Sequence, residues 1–283
     1  MAKERLQKLL AAAGMGSRRQ IDQWIVDGEI RVNGEVATPG TRADADDRIE
    51  VRGQRVDLAP RPPRRKVLLY HKPEGELTTR HDPEGRPTVF EHLPAAREGR
   101  WITVGRLDLN TSGLLLVTND GELANRLMHP SYEIERRYAV RVLGGLDEQQ
   151  QAALLEGVML EDGPARFVDL ADAGGSGANH WYHVTLREGR NREVRRLIES
   201  QGVTVSRLIR IGYGGIALPP RLRPGRVEVL ETEAANALAE SVGLPPEAPA
   251  PTSADRHRQR RQDRPFRVRG RGGRRPTGKS RRD

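Results

Sequence analysis

The chain has 283 residues, of which 36% are hydrophobic and 4% aromatic, and it contains no cysteine. That length supports one sizeable core with a small accessory unit, and the missing thiols exclude disulfides, cysteine nucleophiles and cysteine-based zinc sites while fitting a reducing cytoplasm. The net charge of +9 is a property of the end of the chain: Ala254–Asp283 carries twelve arginines, one lysine and three aspartates, a net +10, which leaves −1 for the rest. A run such as RVRGRGGRRPTGKSRR suits a polyanion like RNA, because released counterions favour binding and guanidinium groups pair with phosphate and stack on bases. No apolar run approaches the length of a membrane span, so a soluble, cytoplasmic protein is expected.

In chain order, Leu6, Leu9, Leu10 and Ala13 have helical spacing, and Gly14 is a helix stop. Ser17 with Gln20 three residues on forms a capping box that opens a second helix, with Ile21, Trp24 and Ile25 on one face. Ile30 and Val32 alternate into Asn33-Gly34, a hairpin turn, and Val36 continues beyond it. Arg18 and Arg19 occupy the first turn of the second helix, where the helix dipole disfavours cations; that misfit points to phosphate binding. Residues 1–58 thus read as a small helix–helix–hairpin unit, and the prolines of residues 59–66 as an extended linker.

Residues 67–243 mix strands (Val67–His71, Leu114–Thr118, Tyr138–Val142, His183–Leu186, Val227–Leu230) with helices (Gly121–Met128, Asp147–Glu156, Arg192–Gln201, Thr232–Ser241). The two do not alternate regularly, which predicts an α+β fold with a mixed, mostly antiparallel sheet. Ala173–Asn179 reads as a flexible loop, and residues 244–283 as a disordered Arg/Gly-rich tail.

The segment GRLDLNTSGLLLVTNDGEL, Gly105–Leu123, places one carboxylate, Asp108, before a polar turn and an aliphatic run. Asp108, Asn110, Ser112 and Gly113 match the start of a calcium loop, but its twelfth position is Asn119, which cannot supply the bidentate carboxylate. No phosphate loop is present, Ser112 is not in a nucleophile elbow, and the histidines are scattered, so no metal site is expected. A turn-forming role for Asp108 and Asn110 is the default for such residues. Against it stand the arginine-rich GRNREVRRL, Gly189–Leu197, from which Arg195 or a neighbour would pair with a carboxylate, and Tyr138 after Arg136-Arg137. A carboxylate, an arginine and a tyrosine beside basic surface point to work on a nucleobase.

Together these segments resemble the pseudouridine synthases, in the branch that acts on ribosomal RNA and carries an N-terminal S4 domain. Gly105–Leu123 resembles the catalytic motif, YHKPEG (Tyr70–Gly75) the first motif, RRYAV (Arg136–Val140) the tyrosine motif and REGRNREVRRL (Arg187–Leu197) the arginine motif, while residues 4–57 resemble the S4 fold. KPEGELTTRHDPEGRPTVF (Lys72–Phe90) and VSRLIRIGYG (Val205–Gly214) look most like large-subunit members. The resemblance implies a cofactor-independent isomerase that converts a uridine of 23S rRNA, uridine 2605 near the peptidyl-transferase centre, to pseudouridine during ribosome biogenesis. It implies Asp108 as the essential carboxylate, Tyr138 stacked on the uracil, Arg195 paired with Asp108 and Leu208 as an apolar wall. Arg18, Arg19, Arg106, Arg190, Arg192 and Arg196 are expected on the RNA. The partner is expected to be large-subunit rRNA or its assembling subunit, bound by a monomer with no membrane and no small-molecule cofactor.

Overall fold

The structure, a computed structural model, describes residues 3–56, 58, 64–96 and 99–247. The basic tail from residue 248 onward and residues 59–63 of the expected linker lie outside the described residues. Near the N-terminus, helices α1 (Leu6–Ala12) and α2 (Arg18–Val26) share a cluster of buried residues with an antiparallel sheet of β1 (Ile30–Val32), β2 (Glu35–Val36), β3 (Ile49–Val51) and β4 (Gln54–Val56). Leu6, Leu10, Ile21, Ile25, Ile30 and Ile49 form its centre. Ser17 Oγ accepts from the Gln20 amide at 3.1 Å and caps α2, but the return bond from the Gln20 side chain that completes a capping box is absent among the described residues. Asn33 and Gly34 both adopt positive φ, 53° and 90°, the backbone a tight hairpin turn requires.

The main sheet contains β5 (Val67–Lys72), β6 (Ser112–Thr118), β7 (Arg136–Leu143), β8 (Asp169–Ser176), β9 (Asn179–Leu186), β10 (Val205–Tyr213) and β11 (Val227–Val229). Their spatial order is β8–β9–β7–β10–β6–β5–β11, and the short strands Ile102–Thr103 and Ile216–Ala217 pair with β6 and β10. All pairs in this sheet are antiparallel except β10 with β6. That parallel joint has two registered pairs, Ile209 with Ser112 and Arg210 with Gly113. Gly113 has φ +109°, and a Cβ there would sit 2.5 Å from the Arg210 nitrogen and closer still to its carbonyl oxygen, so only glycine fits.

Each half of the sheet has its own core. Helices α3 (Gly121–Met128) and α6 (Thr232–Glu240) bury Leu123, Leu127 and Leu238 against Leu114 and Leu116 of β6. Helices α4 (Glu148–Glu156) and α5 (Glu193–Glu199) bury Leu154 and Leu197 against Val140, Val184 and Leu208. On the other face of β5 and β6, Leu68, Tyr70, Leu115 and Val117 meet Val89, Trp101 and Leu107. Because both faces of β6 are covered, its sequence runs as a continuous aliphatic stretch rather than alternating.

Three expectations are corrected. Ala173–Asn179 is not one loop: β8 runs to Ser176, β9 starts at Asn179, and only Gly177 and Ala178 turn between them. As the exposed edge strand, β8 needs no apolar alternation, and a bulge between Asp172 and Gly175 absorbs its extra glycine. The body does not end at Gly243. Leu244 packs on the α3/α6 core, and Glu247 exchanges backbone hydrogen bonds with the Asn236 side chain at 2.9 and 3.0 Å. The last residues of the expected linker are pinned as well, because Asn119 bonds the Arg64 carbonyl and the Lys66 amide while Arg65 pairs with Asp120 at 2.9 Å.

Candidate active site

The turn that precedes β6 is held through its backbone. The Leu107 carbonyl accepts from Thr78 Oγ1 at 2.9 Å, and the Asp108 carbonyl accepts from Lys72 Nζ at 3.0 Å and from the Thr111 amide at 3.1 Å. The Leu109 carbonyl accepts from the Gly75 amide at 2.9 Å, the Asn110 carbonyl from Arg195 Nη2 at 2.8 Å and the Thr111 carbonyl from Lys72 Nζ at 2.9 Å. Five consecutive carbonyls are therefore tied to two distant segments, residues 72–78 and α5. Asp108 itself is half-buried, and its carboxylate has no hydrogen-bond or ion-pair partner among the described residues. The arrangement fixes the backbone and leaves both side-chain oxygens free.

Lys72 is the centre of that support. It ends β5 opposite Gly113, is fully buried, and also donates to the Pro73 carbonyl at 2.9 Å. Burial pulls its pKa from 10.5 down to about 8, against the opposing pull of Glu76, Asp108 and Glu74.

Asp108 opens onto a cavity of about 600 Å³ that Tyr138, Leu208, Thr111, Arg106 and Arg210 also line, a size suited to a nucleotide-sized ligand. Tyr138 is half-buried on β7, beside a register shift between Arg137 and Tyr138 against β10, and Leu208 is buried on β10. The structure thus brings Asp108, Tyr138 and Leu208 to one cavity. Arg195 supports that cavity from behind: its fork joins the Asn110 carbonyl to the Val205 carbonyl at 2.8 and 3.2 Å. The expected ion pair between Arg195 and Asp108 is absent among the described residues, because the guanidinium is spent on those carbonyls.

Five arginines and two carboxylates line the cavity, which makes it electropositive. Two of these arginines were not singled out as site residues. Arg210, only 2% exposed, donates Nε to the Leu114 carbonyl at 2.7 Å while its Nη2 has no hydrogen-bond partner among the described residues. Arg136 donates to the Ile134 carbonyl at 2.9 Å, and the two guanidiniums lie 5.2 and 5.0 Å from the Tyr213 ring centre. Among the expected RNA contacts, Arg18, Arg19, Arg106 and Arg192 are exposed and have no carboxylate partner among the described residues. Arg190 and Arg196 are committed internally. Arg196 clasps Asp162 with two bonds of 2.9 Å, and Arg190 bonds Glu188 at 2.8 Å and the Pro164 carbonyl at 2.7 Å. They brace the loop before α5.

Glu193 is a further buried group of the cavity wall, 3% exposed. Its Oε2 accepts from the Arg190 amide at 3.0 Å. Burial, reinforced by the neighbouring Glu188, pushes its pKa up to about 7.

The fold and this site define an RNA-modifying isomerase: the chain belongs to the RNA pseudouridylate synthase family, whose model matches residues 66–200, while an S4 domain model matches residues 4–49. Within the family, it is 55% identical over 266 residues to the ribosomal large subunit pseudouridine synthase B of Pseudomonas aeruginosa, covering 92% of this chain and 68% of that one. The proteins of that name from Haemophilus influenzae (57%, 86% and 69%) and Salmonella typhimurium (54%, 91% and 89%) are similarly related. A crystal structure of a pseudouridylate synthase superposes with a TM-score of 0.58 at 25% identity, over 83% of this chain and 99% of that one. Among the described residues, no helix is long and apolar enough to cross a membrane.

Proposed function

We propose that the cavity receives a uridine turned out of large-subunit rRNA, uridine 2605 of the 23S molecule, and converts it to pseudouridine with Asp108 as the initiating group. The observation that carries this reading is an unpartnered carboxylate on a loop whose backbone is tied at five successive carbonyls. The names of the relatives support the choice of RNA. Asp108 starts cleavage of the bond between C1′ and N1. The detached uracil turns, C5 joins C1′, the hydrogen on C5 leaves as a proton and N1 takes one up, so atoms balance without a co-reactant. Tyr138 stacks on the uracil and assists that proton's departure, Leu208 walls the pocket, and Arg195 positions the loop.

Taking the base out of its stack costs a few kcal/mol, which phosphate contacts from Arg18, Arg19, Arg106, Arg192 and the tail offset. Residues 1–58 act as the RNA-holding unit and residues 67–243 as the main part of the catalytic unit, in a cytoplasmic monomer working on the rRNA or its assembling subunit. The test is tritium release from large-subunit rRNA labelled at uridine C5, on naked RNA and on subunit precursors. Release by the wild type and none by Asp108→Asn, with RNA still bound, is expected. Equal release by both proteins would remove Asp108 from the chemistry, and preference for small-subunit RNA would reject the substrate.

A further inference from the structure

We propose that the seam between the N-terminal block and the main body holds one phosphodiester of the RNA backbone, gripped by Arg18, Arg80 and Arg100. The proposal rests on the rRNA-modifying role above and adds a second anchoring point outside the cavity. The two parts touch where α1 ends. Gly14 has φ +82°, and a Cβ there would lie 3.0 Å from the Gly99 Cα. Arg100 follows Gly99 directly, and Arg18 is the first residue of α2, just beyond the turn that contains Gly14.

Arg80 reaches the same place from the loop after β5. One of its Nη2 hydrogens goes to the carbonyl of Trp101, the residue next to Arg100, and its guanidinium lies 4.3 Å over the Phe90 ring. It is held flat, with charge to spare. The Nε of Arg100 is buried without a partner, and among the described residues no carboxylate pairs with Arg18, Arg80 or Arg100. Burial disfavours the charge of Arg100 most, and the charges of Arg80 and Arg18 add to that. Three cations with no carboxylate partner among the described residues destabilise the free protein, and a ligand that supplies negative charge relieves them.

The geometry selects a phosphate. Its tetrahedral oxygens face guanidiniums that approach from three separate backbone segments, whereas one planar carboxylate matches a single fork. Arg18 also stands at the start of the nine-residue α2, whose dipole favours an anion there. One strand bound across this seam fixes the N-terminal block against the body while its target base enters the cavity.

The experiment uses the full-length chain. Its affinity for large-subunit rRNA is measured from about 50 to 200 mM KCl for wild type, Arg100→Gln and Arg100→Lys. Arg100→Gln is expected to weaken binding about fivefold at the low-salt end and to reduce the slope of log K against log salt by about one, with Arg100→Lys keeping most of the slope. The free Arg100→Gln protein should melt at the wild-type temperature or above it, since repulsion has been removed. A lower melting temperature with an unchanged slope would make Arg100 a structural residue and overturn the proposal. In a second arm, inorganic phosphate at matched ionic strength should raise the melting temperature of wild type more than that of Arg100→Gln, and equal shifts would overturn the site. This arm uses no rRNA, so it decides the seam even if the wild type fails to bind or modify that RNA, a failure that would reject the substrate reading instead.

Discussion

Replacing Lys72 with methionine tests whether the loop that carries Asp108 is held from below. The ammonium donates to the carbonyls of Pro73, Asp108 and Thr111 at 2.9 to 3.0 Å. Hydrogen bonds from a charged donor contribute roughly 1.5–3 kcal/mol each, so three amount to about 6 kcal/mol. Against this stands the cost of burying the charge. The fall in pKa from 10.5 to about 8 corresponds to roughly 3 kcal/mol. Methionine keeps the apolar stem and escapes that cost, so the expected net loss of stability is about 3 kcal/mol. The larger effect is on rate, because the Asp108 and Thr111 carbonyls lose their shared tether, and a displacement of about 1 Å costs on the order of 100-fold. Urea unfolding gives the first quantity, and single-turnover tritium release at saturating RNA gives the second. A variant that unfolds within about 1 kcal/mol of wild type and releases tritium at the wild-type rate would show that the ammonium does not hold the loop.

Glu193 makes stability pH-dependent. Its folded-state pKa lies above its value in the unfolded chain, so the folded protein holds its proton more tightly, and the contribution present at low pH is lost as pH rises from about 4.5 through about 7. Glu193→Gln should therefore gain on wild type by up to about 3 kcal/mol between pH 5 and 8, read from thermal melts at both ends; a constant difference would refute this. Gly113→Ala should open the joint between β6 and β10 and cost more than about 3 kcal/mol, seen as a lowered urea midpoint; a wild-type midpoint would show that the strands part without strain. Deleting Ala254–Asp283 should weaken rRNA affinity and flatten its salt dependence, while single-turnover release at saturation stays close to wild type. A large fall in that rate would place the tail in the chemical step.

Much of the architecture is written in local signals. The Ser17 cap, the Asn33-Gly34 turn and the aliphatic run of β6 each announce their element within a few residues, and the motif around Asp108 marks the family in plain view. What could not be read locally depends on distant backbone. A strand such as β8, DLADAGGS, lies at an exposed edge and takes its shape from the partner strand rather than from its own side chains. Lys72 bonds carbonyls 36 and 39 residues away, and a carbonyl leaves no mark on the sequence. The same reason explains Arg195. An arginine near Asp108 suggests an ion pair, but the residue in fact serves two peptide oxygens. Arg196 reads as an RNA ligand in the sequence because Asp162, which it clasps, is 34 residues away in the chain.

The two-pair parallel joint between β10 and β6 runs past the cavity. Asp108 and Thr111 stand on the β6 side of that two-pair joint, whereas Tyr138 and Leu208 stand on the other, each side backed by its own helices and core. The gap between the carboxylate and the ring is thus the opening of a vise whose jaws are two separately packed bodies. Arg195, reaching from α5 to the Asn110 carbonyl, and Arg210, reaching from β10 to the Leu114 carbonyl, are cross-braces that set this opening. Substitutions deep in either core, far from the cavity, are therefore expected to change this opening by tilting one jaw against the other.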